Sequence, residues 1–181
     1  LDKNSLTGTL PTTLGRLGLN ELWVSQQDIS GPLPSELGNI PSLTSIDFHS
    51  TSLDGTIPEE YYKLTDLEVL NLYDSSLSGT LGTSVGKLDN LRELRISDNQ
   101  FTGSVPRELG DLPRLNELWL HGNLFDGAVP LEVCSLKEFG CLTVFYADCL
   151  PMNSTGFTRI SCECCDSCCN SKTKQCTPVG K

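Results

Sequence analysis

The chain has 181 residues, with 13 basic against 23 acidic side chains and a formal charge of −10. That length makes one domain, or at most two small ones. The acidity argues against nucleic acid or an anionic membrane as partner, because both require a basic face. No run approaches the roughly 18 apolar residues of a membrane-spanning helix, and no basic, apolar and small-residue leader opens the chain.

The balance is not uniform along the chain. Residues 1–133 contain no cysteine and carry 8 basic and 19 acidic side chains. Residues 134–181 contain all nine cysteines, with 5 basic and 4 acidic side chains. The acidity belongs to one part and the sulfur to the other.

A repeat organises the first part. Glycine recurs at Gly8, Gly31, Gly55, Gly79, Gly103 and Gly127, at spacings of 23 and then 24 residues. Around it one string returns: Leu6-Thr-Gly-Thr-Leu-Pro11, Ile29-Ser-Gly-Pro-Leu-Pro34, Leu53-Asp-Gly-Thr-Ile-Pro58, Phe101-Thr-Gly-Ser-Val-Pro106 and Phe125-Asp-Gly-Ala-Val-Pro130. The fourth copy, Leu77-Ser-Gly-Thr-Leu-Gly82, lacks the proline. Upstream of these glycines a second string, L-x-x-L-x-L, begins at Leu19, Leu43, Leu67, Leu91 and Leu115, with an incomplete copy at Leu142-x-x-Phe145-x-Ala147. Apolar residues at i and i+2 mark a short strand with one buried face. A unit this small buries its apolar edge only by stacking on its neighbours.

These strings resemble the plant-type leucine-rich repeat, L-x-x-L-x-x-L-x-L-x-x-N-x-L-x-G-x-I-P, over residues 1 to about 149. The resemblance implies an α/β repeat solenoid with 24-residue units and a curved, concave parallel sheet. Its convex side is made of 3₁₀ turns and loops. The expected division is 1–132 for about six repeats and 133–181 for the last strand and a cysteine-rich cap. The position that holds asparagine in the family carries Asn4, Gln27, Thr51, Ser75, Asn99 and Asn123. There the side chain satisfies buried loop backbone, so the shorter Thr51 and Ser75 predict looser packing or ordered water. The chain starts inside a repeat at Leu1, which predicts a longer parent chain or an open end covered by another chain.

The second part carries Cys134, Cys141, Cys149, Cys162, Cys164, Cys165, Cys168, Cys169 and Cys176. A cap of this kind is similar to those of stramenopile, diatom-like surface repeat proteins. Disulfides are favoured, since they staple a segment with little core of its own. Thiolate binding of zinc or another soft metal is the competing reading. The N-x-T acceptor at Asn153 agrees with a secreted glycoprotein. Nine is odd, so at least one cysteine is free, joins another chain, or pairs with a segment outside this sequence.

The repeat register places the outward side chains in columns. One runs Glu21, Ser45, Val69, Glu93, Glu117, Val144; the next Trp23, Asp47, Asn71, Arg95, Trp119, Tyr146. A third runs Ser25, His49, Tyr73, Ser97, His121, Asp148, and a fourth Gln26, Ser50, Asp74, Asp98, Gly122. Both tryptophans and both histidines fall there. Trp23, Tyr73, Trp119 and Tyr146 are the expected anchors of a partner. Asp47, Glu93, Arg95 and Glu117 are expected to set its specificity and on-rate, and His49 and His121 belong to the same partner-binding face. Aromatics that merely cover a sheet as cross-strand pairs are the plainer reading. At about 4.8 Å per strand, His49 and His121 stand three repeats apart and cannot share one catalytic site. Ser97, His121 and Asp148 align like a triad, but no nucleophile turn or oxyanion hole accompanies them.

The expectation is therefore an extracellular recognition or assembly module, not an enzyme. It reads no cofactor and no metal, and its partner is a protein, peptide or glycan, or a second copy of itself. The alternatives are a structural subunit of a surface fibre, wall or sheath, and an inhibitor of a secreted hydrolase such as the polygalacturonase-inhibiting proteins.

Overall fold

The computed structural model describes residues 4–138, 140–148, 162, 164–170 and 175–178, the last four and 168–170 as backbone. In chain order its strands are β1 (Thr7–Thr9), β2 (Glu21–Trp23), β3 (Asp28–Pro32), β4 (Ser45–Asp47), β5 (Ser52–Gly55), β6 (Val69–Asn71) and β7 (Ser76–Thr80). They continue as β8 (Glu93–Arg95), β9 (Gln100–Ser104), β10 (Glu117–Trp119), β11 (Leu124–Asp126), β12 (Val144–Ala147), β13 (Ser167–Asn170) and β14 (Gln175–Pro178), with one helix, α1 (Leu131–Glu138).

Each repeat supplies one strand to each of two parallel sheets. The L-x-x-L-x-L strings form β2, β4, β6, β8, β10 and β12, in register one repeat apart. Their inward leucines (Leu22, Ile46, Leu70, Leu94, Leu118 and Phe145) line up as partners and are buried. The strings around the glycines form the second sheet, in the order β1-β3-β5-β7-β9-β11. Between the sheets and the turns lies one apolar core, with Phe101 stacked on Phe125 at 6.2 Å.

The recurring glycines are explained by the backbone. At Gly8, Gly31, Gly55, Gly79, Gly103 and Gly127 φ lies between 76° and 95°. That left-handed region penalises any residue with a Cβ. After each of the first five strings a 3₁₀ turn follows, as at Ser35–Asn39 after Pro34. Proline suits that entry because its φ is fixed and its missing N–H would be unpaired there.

The asparagine column accounts for the buried loop backbone. Asn99 accepts from Leu77 N at 2.9 Å and donates to the carbonyls of Leu72, Ile96 and Ser97. Asn123 repeats this one unit later toward Phe101, Ile96, Leu120 and His121. Gln27 reaches Leu6 N and the Ser25 carbonyl. In the middle the two hydroxyls compensate each other. Thr51 Oγ1 lies 3.1 Å from Ser75 Oγ and donates to the Phe48 carbonyl at 2.9 Å.

The missing proline also has a structural cause. In most units a glycine in the 3₁₀ turn meets the next repeat's backbone. A Cβ on Gly38 would stand 2.4 Å from the Glu60 carbonyl carbon. In the third repeat that position is Tyr62, and the residue facing it in the next turn is Ser84 where other turns carry Glu36, Glu60, Glu108 and Glu132. The Tyr62 ring is buried, and its hydroxyl accepts from the Gly82 N–H at 3.3 Å. Proline at 82 has no such proton.

At the C-terminal end α1 replaces the 3₁₀ turn, and the first sheet runs on through β12 to β13 (parallel) and β14 (antiparallel). Cys134 in α1 is disulfide-bonded to Cys164, and Cys162 to Cys165. The Asp166 N–H donates to the Phe145 carbonyl, its carboxylate accepts from Phe145 N, and Lys137 pairs with it. Cys165 is buried in the core and Cys141 carries a free thiol. Cys149 and Asn153, and the side chains of Cys168, Cys169 and Cys176, lie outside the described residues.

Candidate ligand-binding face

The eight-stranded sheet presents its outward residues on one face. Its strands are extended, so alternate side chains leave the core side. Just beyond each strand the chain turns through a left-handed residue: Gln26, Ser50, Asp74 and Asp98 have φ of 52–56°, and Gly122 has 71°. Aspartate tolerates this region better than most residues. The turns thus hold Asp74 and Asp98 at one rim of the sheet.

Five of the ten expected site residues join into one aromatic patch. His49 stacks on Tyr73 with ring centroids 4.7 Å apart. Tyr73 meets Trp119 at 5.9 Å, two repeats away, because large rings lean across the small residues between them. Trp119 then meets Tyr146 at 5.8 Å and His121 at 6.1 Å, and His121 meets Tyr146 at 5.9 Å. The two histidines do not touch, but the rings between them make the surface continuous. Trp23 stands apart: it is 45% exposed, its indole N–H donates to Ser45 Oγ at 2.9 Å, and it has no ring contact among the described residues.

The charged residues form two further groups against these rings. Arg95 is clamped by Glu93 at 2.9 Å and by Glu117 at 2.8 Å, while its guanidinium lies 5.0 Å from the Trp119 ring centre. The hydrogen bond to Glu117 raises the Arg95 pKa; burial opposes this, and the charges of Glu117, Glu93 and Asp47 add to it. Asp47 lies 2.6 Å from His49 Nδ1 and accepts from Asn71 Nδ2 at 3.2 Å.

Two buried residues escaped the sequence-level choice of anchors. Asn71 is 3% exposed and Ser97 is 1% exposed. The Asn71 Oδ1, Ser97 Oγ and Trp119 Nε1 atoms are buried without a hydrogen-bond partner among the described residues. Their residue types did not single them out: Asn71 shares its column with Asp47, and Ser97 shares its column with Ser25 and Asp148. Because Ser97 Oγ makes no hydrogen bond among the described residues, the serine–histidine link of the aligned triad is not formed. Asp148 is buried. Burial raises its pKa, and the N–H groups of Gly122 and Asn123, together with His121, pull it down.

The outward face of this parallel solenoid is therefore an open surface of aromatic and acidic side chains. Residues 65–125 match the leucine rich repeat family model. Residues of the ectodomain of the Arabidopsis thaliana receptor kinase GASSHO1/SCHENGEN3, solved in complex with CASPARIAN STRIP INTEGRITY FACTOR 2, are 36% identical over 74% of the chain, with a TM-score of 0.71. The PEPR1–AtPEP1 structure is 32% identical over 75% of the chain, with a TM-score of 0.72. A plant ice-binding protein is 29% identical over 81% of this chain and 46% of its own, with a TM-score of 0.70. The chain has the fold of a leucine-rich-repeat solenoid and is similar to these ectodomains. It spans 16% and 19% of the first two of these relatives' length. No curated protein sequence matches it.

Proposed function

We propose that this chain is an extracellular recognition module that binds a protein or peptide through its eight-stranded sheet. The observation that carries this reading is the continuous patch of Tyr73, Trp119, Tyr146 and the two histidines. Rigid aromatic side chains supply large contact area at small entropy cost. The disulfides in the C-terminal part agree with an oxidising compartment. Among the described residues no helix is long and apolar enough to cross a membrane. Similar ectodomains are solved with peptide or protein partners, which supports the same use here. The test is a Tyr73→Ala, Trp119→Ala double variant against the native partner, isolated by crosslinking to the folded chain. Binding is expected to fall by about 2 kcal/mol or more. Unchanged binding by a folded variant refutes the assignment of this face.

A second reading comes from the other sheet. Before the six repeat glycines stand Thr7, Ser30, Asp54, Ser78, Thr102 and Asp126; after them stand Thr9, Pro32, Thr56, Thr80, Ser104 and Ala128. Ser78 and Thr102 donate to carbonyls one repeat back, at 3.2 Å each. Hydroxyls repeated at the strand spacing of about 4.8 Å form an ordered template for water. The likeness to a plant ice-binding protein favours this use. Inhibition of ice recrystallisation by the parent chain, abolished by Thr56→Arg and Thr80→Arg together, supports it. An inactive parent chain dismisses it.

A further inference from the structure

We propose that the occupant of the aromatic face is a basic, extended peptide segment, with an arginine or lysine side chain lying against Tyr73 and Trp119 and facing Asp74 and Asp98. The proposal rests on the reading of that face given above and names its partner's chemistry.

Three independent observations converge. The first is charge. Asp47, Asp74, Glu93, Asp98 and Glu117 stand around the rings, and Arg95 is the one cation in the four outward columns. Glu93 and Glu117 are taken up by Arg95, Asp47 lies against His49, and Asp98 stands 4.0 Å from His121 Nε2. Asp74 is exposed and its carboxylate is held by the Ser50 hydroxyl at 2.9 Å. A surplus of one sign beside a low-dielectric aromatic wall attracts the opposite sign and speeds its arrival.

The second is that the face already holds a guanidinium. Arg95 lies over Trp119 and between two carboxylates. A peptide arginine laid on Tyr73 would meet the same kinds of group, an aromatic ring with Asp74 next to it in sequence and Asp98 one repeat further on. Aromatic faces attract cations more strongly than neutral groups, and the fork of an arginine matches carboxylates.

The third is the polar floor. Among the described residues Asn71 Oδ1 lacks a donor, and Trp119 Nε1 lacks an acceptor. A peptide backbone supplies both, an N–H and a carbonyl. A buried polar atom left unpaired is costly, so a segment whose binding pairs either atom is favoured by that pairing. The sheet itself selects extended chain, as it presents side chains at a strand's spacing.

The experiment uses Trp23→Phe, so that Trp119 is the only tryptophan and its fluorescence reports on the face. It is titrated with an acetylated, amidated heptapeptide alternating glycine with arginine, then with the glutamate counterpart and with cellohexaose. The expected result is a saturable change with the arginine peptide, at least about tenfold tighter than with the glutamate peptide and weakened by high salt. Asp74→Asn with Asp98→Asn should weaken it a further tenfold or so. Asparagine keeps the left-handed backbone at both positions, so the fold is preserved. No saturable response to the arginine peptide overturns the proposal. A response to the glutamate peptide or to cellohexaose that is equal or tighter, and lost in Tyr73→Ala, shows the right face with the wrong occupant. If no probe perturbs Trp119 and the Tyr73→Ala, Trp119→Ala variant keeps its native partner, the face itself is wrong.

Discussion

The fourth repeat offers a prediction in which sequence pattern and structure give opposite signs. Gly82 stands where the other glycine-centred strings carry proline. Its backbone, φ −68° and ψ 144°, matches that of Pro58 at −63° and 140°. By pattern and backbone alone, Gly82→Pro should stabilise the chain by about 0.4–1 kcal/mol, through a less flexible unfolded state. The packing reverses this. Proline removes the N–H that the Tyr62 hydroxyl accepts at 3.3 Å, on a side chain only 2% exposed. Leaving that hydroxyl buried and unpaired costs about 1–2 kcal/mol. A Cβ at 82 would also stand 2.6 Å from Glu59 Oε1 and 3.0 Å from Tyr62 Cε2. The exposed Glu59 can move and the buried ring cannot, so overpacking adds about 1–2 kcal/mol. The net expectation is a loss of about 2 kcal/mol, or about 4–8 °C in Tm for a chain of this size. Urea unfolding followed by far-ultraviolet circular dichroism reads it, with an unchanged m-value as the check on comparable transitions. In a Tyr62→Phe background the hydrogen-bond part is already gone, so Gly82→Pro should cost about 1 kcal/mol less. A Gly82→Pro chain as stable as the parent, or an equal cost in both backgrounds, refutes the role given to Tyr62.

Three other perturbations probe different parts of the molecule. Asn99→Ala removes the acceptor of Leu77 N and the donor to three carbonyls. It should cost about 2–3 kcal/mol, and a loss below about 0.5 kcal/mol in urea unfolding would contradict the ladder. Gly110→Ala brings a Cβ to 2.5 Å from Glu132 Cβ and 2.6 Å from its carbonyl carbon, whereas Gly18→Ala meets nothing within 4 Å. The first should lose about 2 kcal/mol and the second should be near neutral; equal melting of the two removes the argument for close approach. Burial raises the Asp148 pKa above its ordinary 3.8, so the folded chain binds that proton more tightly than the unfolded one. Stability from this group is therefore present at acid pH and lost as pH rises through the folded pKa. Asp148→Asn should melt above the parent at neutral pH, with the advantage vanishing on the acid side of 3.8. An advantage that persists in acid assigns the effect to something other than ionisation.

The repeat, its period and both strand positions were legible from residues 1–149, because a stacked unit must place the same residue types at the same backbone positions every turn. Glycine at a positive φ, proline at a turn entry and leucine at an inward position are local demands, and local demands leave a periodic trace. The outward columns were legible for the same reason, since alternation along a strand decides which face a residue takes. The bonding partners of the nine cysteines were not legible, because pairing depends on which loops meet in space. Cys134 and Cys164 are joined with Cα atoms 5.4 Å apart across 30 residues of sequence.

What the columns could not tell was which outward residues touch. Trp23 and Trp119 occupy equivalent positions, yet one is an exposed ring held by Ser45, with no ring contact among the described residues, and the other is the hub of the aromatic patch. The difference lies in the neighbours: Tyr73, Tyr146 and His121 come from other repeats and reach Trp119 only because the strands stack about 4.8 Å apart. Asn71 and Ser97 share the outward register but are buried. A residue's face is set by its own backbone, so the repeat encodes it. Its burial and its partners are set by the size of side chains one and two repeats away, and those relations exist only once the solenoid has formed.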